Sequence, residues 1–60
     1  MQYEEEYEVQ VLGAHVWVTV DAYDTEREAI KGLNYHDDGA RSWRVIRKTQ
    51  VTITQRSRGK

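Results

Sequence analysis

The chain has 60 residues, with nine basic and ten acidic side chains and a net charge of −1 at pH 7. That length builds one domain at most and leaves little room for a large enclosed cavity. Cysteine is absent, which excludes disulfides, thiolate chemistry and cysteine-ligated zinc or iron–sulfur centres.

The small net charge hides a division. Residues 1–40 hold all ten acids and only two bases, Arg27 and Lys31, whereas residues 41–60 hold seven bases and no acid. A basic strand beside an acidic one gains cross-strand pairing. Placed on different surfaces, the two charges instead steer partners of opposite sign. Three glutamates, Glu4 to Glu6, stand where a signal peptide would carry bases, and the longest apolar-leaning run, Val16 to Val20, is too short to cross a bilayer. A cytoplasmic protein with no membrane association is expected.

In chain order, YEEEYEVQVL (residues 3–12) alternates Tyr3, Glu5, Tyr7, Val9 and Val11 against a mostly polar set, the pattern of a half-buried strand. Gly13-Ala14 supplies a hairpin reversal. The next strand, His15 to Tyr23, sets Val16, Val18 and Val20 on one side and Trp17, Thr19 and Asp21 on the other, so the valines are expected in the core. Thr25 and Glu28 have capping-box spacing and open a helix, with Glu26 and Glu28 at its positive end. Ala29, Ile30 and Leu33 form its apolar stripe, Gly32 marks either a close approach or simple tolerance, and Asp37-Asp38-Gly39 ends it.

SWRVIRKTQVTIT (residues 42–54) is strand-like again. It reads as one long strand with a bulge near Arg47, or as two strands with a turn at Lys48 to Gln50. The absence of Gly, Pro, Asn and Asp favours the first. The fold expected is α+β: an antiparallel sheet of three strands, or four, with one helix on one face in the order ββαβ. The domain would span residues 1–55, followed by a flexible basic tail at 56–60. Its core is expected to hold Val9, Val11, Val16, Val18, Val20, Ala29, Ile30, Leu33, Val45 and Val51.

Little in the chain carries chemistry. His15 and His36 lie far apart, and although Asp37 and Asp38 adjoin the second, no zinc-ligand spacing exists. Ser42 and Ser57 sit on no nucleophile elbow, and the glycines at 13, 32, 39 and 59 form no phosphate loop. No catalytic residue, metal site or cofactor is expected.

A single helix covers one face of a sheet, so the other face and the exposed aromatics point to protein binding or self-association. The candidate interaction surface is Trp17, Thr19, Tyr35, Trp43, Arg44, Ile46 and Arg47, with Trp43 moving to the core if the last strand slips by one residue. Alternatively, Trp17 and Trp43 cover one another across adjacent strands. Two other functions remain open: a structural or assembly role, and nucleic-acid binding through Trp43, Arg41, Arg44, Arg47, Lys48 and the basic tail. The acidic first strand counts against nucleic acid.

Trp17 with Val18 or Val20, then Asp24, Thr25, Glu28 and Ala29, then Trp43, Arg44, Val45, Arg47 and Thr49 compose W-x-V, D-T-x-x-E-A and W-R-V-x-R-x-T motifs. Over residues 7–49 this arrangement resembles small uncharacterised phage and prophage proteins of ββαβ order. The resemblance implies a small accessory or host-interaction protein and brings no residue-level activity with it.

Overall fold

The structure, a computed structural model, describes residues 6–48 and 51–58. The expectations for Tyr3 to Glu5, for Thr49 and Gln50, and for Gly59 and Lys60 lie outside these residues. The described elements are β1 (Tyr7–Leu12), β2 (Trp17–Tyr23), α1 (Glu26–His36), β3 (Trp43–Arg47) and β4 (Val51–Arg56). All four strands join one antiparallel sheet in the order β2-β1-β3-β4. The α+β class is as expected, in its four-stranded form. β2 and β3 both run antiparallel to β1, so they are parallel to each other, and α1 is the crossover that carries the chain past β1.

The core lies between α1 and the two central strands. Val9 and Val45 from the sheet and Ala29 and Leu33 from the helix are fully buried, and Tyr7, Val11 and Trp43 close around them. Tyr23 and Ile53 pack on its margins, and Ile30 is half-buried. Trp43 is 3% exposed and lies opposite Val11, so the register that sends it to the core is the one formed.

Four of the expected core residues are displaced. Val16, Val18 and Val20 are 62%, 47% and 41% exposed, and Val51 is also exposed. A helix about 10 Å across cannot cover four strands set about 4.8 Å apart. α1 lies over β1 and reaches both β2 and β3, and it meets β2 at Tyr23, at the end of the strand away from Val16 and Val18. β2 and β4 are edges. A bulge adds a second cause: Val9 faces Asp21 while Gln10 faces Thr19, so Val20 is skipped. Beyond it the alternation inverts. Asp21 and Tyr23 share the helix side with Val9 and Tyr7, whereas Trp17 and Thr19 share the other side with Leu12 and Gln10.

Residues 42–54 are not one long strand. Arg47 pairs with Val51, so the chain reverses over the three residues between them. The pairing, rather than any Gly, Pro, Asn or Asp signal in the sequence, marks the boundary between β3 and β4. The bulge lies in β4, at Ile53, between the pairs Val45–Thr54 and Ile46–Thr52.

Of the capping box, the half in which Thr25 accepts from the Glu28 N–H is formed: Thr25 is extended, and its hydroxyl accepts at 3.1 Å. The returning bond from the Glu28 side chain is not among the hydrogen bonds of the described residues. Helical geometry ends at His36, where the Asp37 N–H still donates to the Leu33 carbonyl at 2.9 Å. Gly39 has φ +75°, the left-handed conformation that favours glycine. Gly32 marks a close approach: a β-carbon there would overlap the Tyr23 ring and hydroxyl. Among the described residues no helix is long and apolar enough to cross a membrane.

Candidate interaction surface

The side of the sheet away from α1 has no element of the described residues over it. Its side chains form rows across the strands. Trp17 and Leu12 make one row, Thr19, Gln10, Arg44 and Gln55 the middle one, and Ala22, Glu8, Ile46 and Thr52 the third. Gln10 organises them. Its amide oxygen accepts from Arg44 Nε at 2.8 Å, and its amide nitrogen donates to Thr19 Oγ1 at 3.0 Å and to Glu8 Oε1 at 3.2 Å. The Thr19 hydroxyl donates to the same Glu8 oxygen at 2.9 Å. The Arg44 guanidinium lies 4.3 Å from the Trp17 ring centroid, a cation–π contact. Five side chains from three strands are thus linked to one another on a face that no element of the described residues covers. Further along it Lys48 Nζ stands 3.4 Å from Glu6 Oε1.

A second polar cluster closes the helix end. The Asp37 side chain, only 10% exposed, accepts from Arg56 at 2.9 Å and from Arg58 at 2.8 Å. Arg56 also reaches Asn34 Oδ1. Asp38 accepts from the Ala40 and Arg41 N–H groups, from Arg41 Nε at 2.7 Å and from the Trp43 indole at 3.2 Å. Arg58 beside Asp37 is the main cause that lowers its pKa from 3.8 to about 2, followed by the Gly39 N–H and Arg56. The Ala40 and Arg41 N–H groups, then the Arg41 side chain, hold Asp38 lower still. Asp21, on β2, accepts from the Tyr23 hydroxyl at 2.8 Å and lies 3.4 Å from His36 Nε2. The His36 ring is stacked with Trp43, their centroids 6.2 Å apart. The stretch expected as a tail therefore begins inside β4, whose last residue is Arg56, and Arg58 is anchored to the helix end.

The seven residues singled out in the sequence do not form one surface. Trp17, Thr19 and Arg44 come together on the open face, and Ile46 shares that face but is 5% exposed. Trp43 is in the core, on the opposite side from Trp17 and two strands away, so the tryptophans do not cover one another. Arg47 projects to the helix side, its guanidinium 5.9 Å from the Tyr7 ring centroid. Tyr35 is 85% exposed on the outer side of α1, where it lines a shallow groove of about 450 Å³ with Tyr23, Glu28, Lys31 and Gly32. Sequence reasoning missed Gln10 and Glu8. Their role follows from the register that puts Gln10 between Thr19 and Arg44, and periodicity alone only marks them as polar. Among the described residues no three His, Asp or Glu side chains group as metal ligands. Compared with family models, curated proteins and solved structures, the chain matches none.

Proposed function

We propose that this domain is a small protein-binding module that contacts its partner through the sheet face opposite α1. The observation that carries this reading is the ordered set Trp17, Arg44, Gln10, Thr19 and Glu8 on a face that the single helix leaves open. Pre-positioned aromatic and arginine side chains lose little freedom on binding, and such residues dominate interface energetics. The motif resemblance to small phage proteins fits the same role, that of a host-interaction or accessory protein. A nucleic-acid surface is less well supported. Arg41, Arg56 and Arg58 are committed to Asp37 and Asp38, and the open face carries Glu8 beside its arginine, where a polyanion site needs continuous positive charge.

A photo-crosslinking amino acid at Ala22, which shares the open face with Glu8, tests the reading. The control position is Arg27, exposed on α1. Irradiation in the protein's native cytosol is expected to give a discrete protein adduct from position 22, absent from position 27 and lost on Trp17→Ser. Identical adduct patterns from the two positions would overturn the proposal.

A further inference from the structure

Resting on that reading of the open face, we infer that the face is self-complementary and takes a second copy of this chain, in a two-fold dimer with reciprocal Arg44–Glu8 ion pairs.

Charge is the first argument. Arg44 is oriented by the Gln10 oxygen and the Trp17 ring, and Glu8 by the Gln10 nitrogen and the Thr19 hydroxyl. Every one of these contacts is neutral. Among the described residues no carboxylate lies within ion-pair distance of Arg44 and no cation within that distance of Glu8. The Gln10 amide sits between a fixed positive charge and a fixed negative one. An isologous interface brings each point of a face against its mirror point across the axis. An axis lying in the face along the Thr19–Gln10–Arg44 row exchanges the guanidinium, which leans towards Trp17, with the carboxylate on the other side of Gln10. Arg44 of each copy then meets Glu8 of the other, and the four charges close into a ring around the two Gln10 amides.

Shape is the second argument, and it comes from the same register. Trp17 lies opposite Leu12, one row to one side of Gln10, and Ala22 lies opposite Glu8, one row to the other side. Both are on β2. The axis that pairs Arg44 with Glu8 therefore sets each Trp17 over the Ala22 of the other copy, a large side chain against a small one. Area sets the strength. Four strands about 4.8 Å apart and about 20 Å long give a face of roughly 400 Å² in projection, below the roughly 800 Å² per partner of a standard interface. The dimer is a weak one, with dissociation in the micromolar to millimolar range and weakening with salt.

Sedimentation equilibrium from about 10 μM to about 1 mM, in low salt, tests it. The wild-type chain is expected to pass from monomer to dimer and no further. Arg44→Glu and Glu8→Arg each replace two opposite-charge contacts with two like-charge ones, and each is expected to weaken self-association at least about a hundredfold. An equimolar mixture of the two variants restores both pairs and is expected to form a heterodimer of wild-type strength. Circular dichroism establishes that the variants fold. If a reversal does not fold, the neutral pair Arg44→Gln and Glu8→Gln replaces it, each expected to weaken the dimer. A wild-type monomer throughout, or variants that associate as the wild type does, overturns the inference. So does a mixture that fails to associate. The same crosslinker placed at Thr52, exposed on this face opposite Ile46 and outside the Trp17–Ala22 contact, separates this failure from that of the wider reading. An adduct of twice the chain mass supports the dimer, and an adduct only with a different protein leaves a binding face but removes the self-pairing.

Discussion

At Gly32 two requirements oppose each other. An alanine in the interior of a helix is more stable than glycine by about 1 kcal/mol, so propensity alone favours Gly32→Ala. Packing forbids it, because the new β-carbon would overlap the Tyr23 ring. The ring cannot shift freely, since its hydroxyl donates to Asp21 at 2.8 Å, and overpacking of this kind costs about 1–3 kcal/mol. Gly32→Ala is therefore expected to destabilise the protein in urea melts despite its better propensity. In the background of Tyr23→Ala the sign is expected to reverse, and a double-mutant cycle measures the difference. Equal effects of Gly32→Ala in the two backgrounds would show that the contact does not limit stability. The sequence marked this glycine as a close approach or a tolerated defect. Only the ring of Tyr23, at the far end of β2, distinguishes them.

At the scale of elements, α1 depends on its first turn. The Thr25 hydroxyl satisfies the Glu28 N–H, and Thr25→Ala is expected to cost about 1 kcal/mol, with Thr25→Ser close to neutral. In a domain of this size that lowers the melting temperature by about 4–8 °C, and a scanning-calorimetry loss equal for both substitutions would exclude the cap as the cause. This helix was legible because capping and the Ala29–Leu33 stripe are local signals. The same holds for the central strand, whose Tyr7, Val9 and Val11 alternate without interruption. The edge strands were less legible. β2 reads as a clean valine alternation, but the bulge at Val20 and the limited reach of one helix are tertiary facts that the alternation does not contain. β4 was merged with β3 because residues 48–50 include no Gly, Pro, Asn or Asp, the residue types that mark turns in a sequence. Of the open face, Trp17, Thr19 and Arg44 were readable from parity, although the Asp21 placed beside them lies across the bulge. The Gln10 network needed the pairing register, and Trp43 needed it too.

The whole molecule is held together at its helix end by the charge division seen in the sequence, and this makes its stability depend on pH in a defined way. The basic final third closes onto Asp37 and Asp38, joining β4 and the residues after it to the end of α1. Asp37 titrates at about 2 in the folded protein against 3.8 ordinarily, chiefly through Arg58, and Asp38 and Asp21 are also lowered, the latter chiefly by the Tyr23 hydroxyl. A carboxylate whose pKa is depressed by folding adds stability that is fully present above its unfolded value. That stability is lost as pH falls towards the folded value. The protein is therefore expected to hold a plateau above about pH 5 and to lose stability between about pH 4 and pH 2. Tyr23 acts in the opposite sense. Burial first, then the Asp21 carboxylate, raises its pKa above 10, so its contribution is complete below pH 10 and is lost as pH rises through the raised value. Urea melts from pH 2 to pH 11 are expected to give a flat-topped curve falling at both ends. Asp37→Asn is expected to lower the plateau, because Arg56 and Arg58 lose their carboxylate, and to flatten the acid limb. Tyr23→Phe is expected to flatten the alkaline limb while leaving the acid one largely in place. An acid limb for Asp37→Asn that runs parallel to that of the wild type would show that the contacts of Asp37 with Arg56 and Arg58 do not hold β4 and its continuation to the helix end.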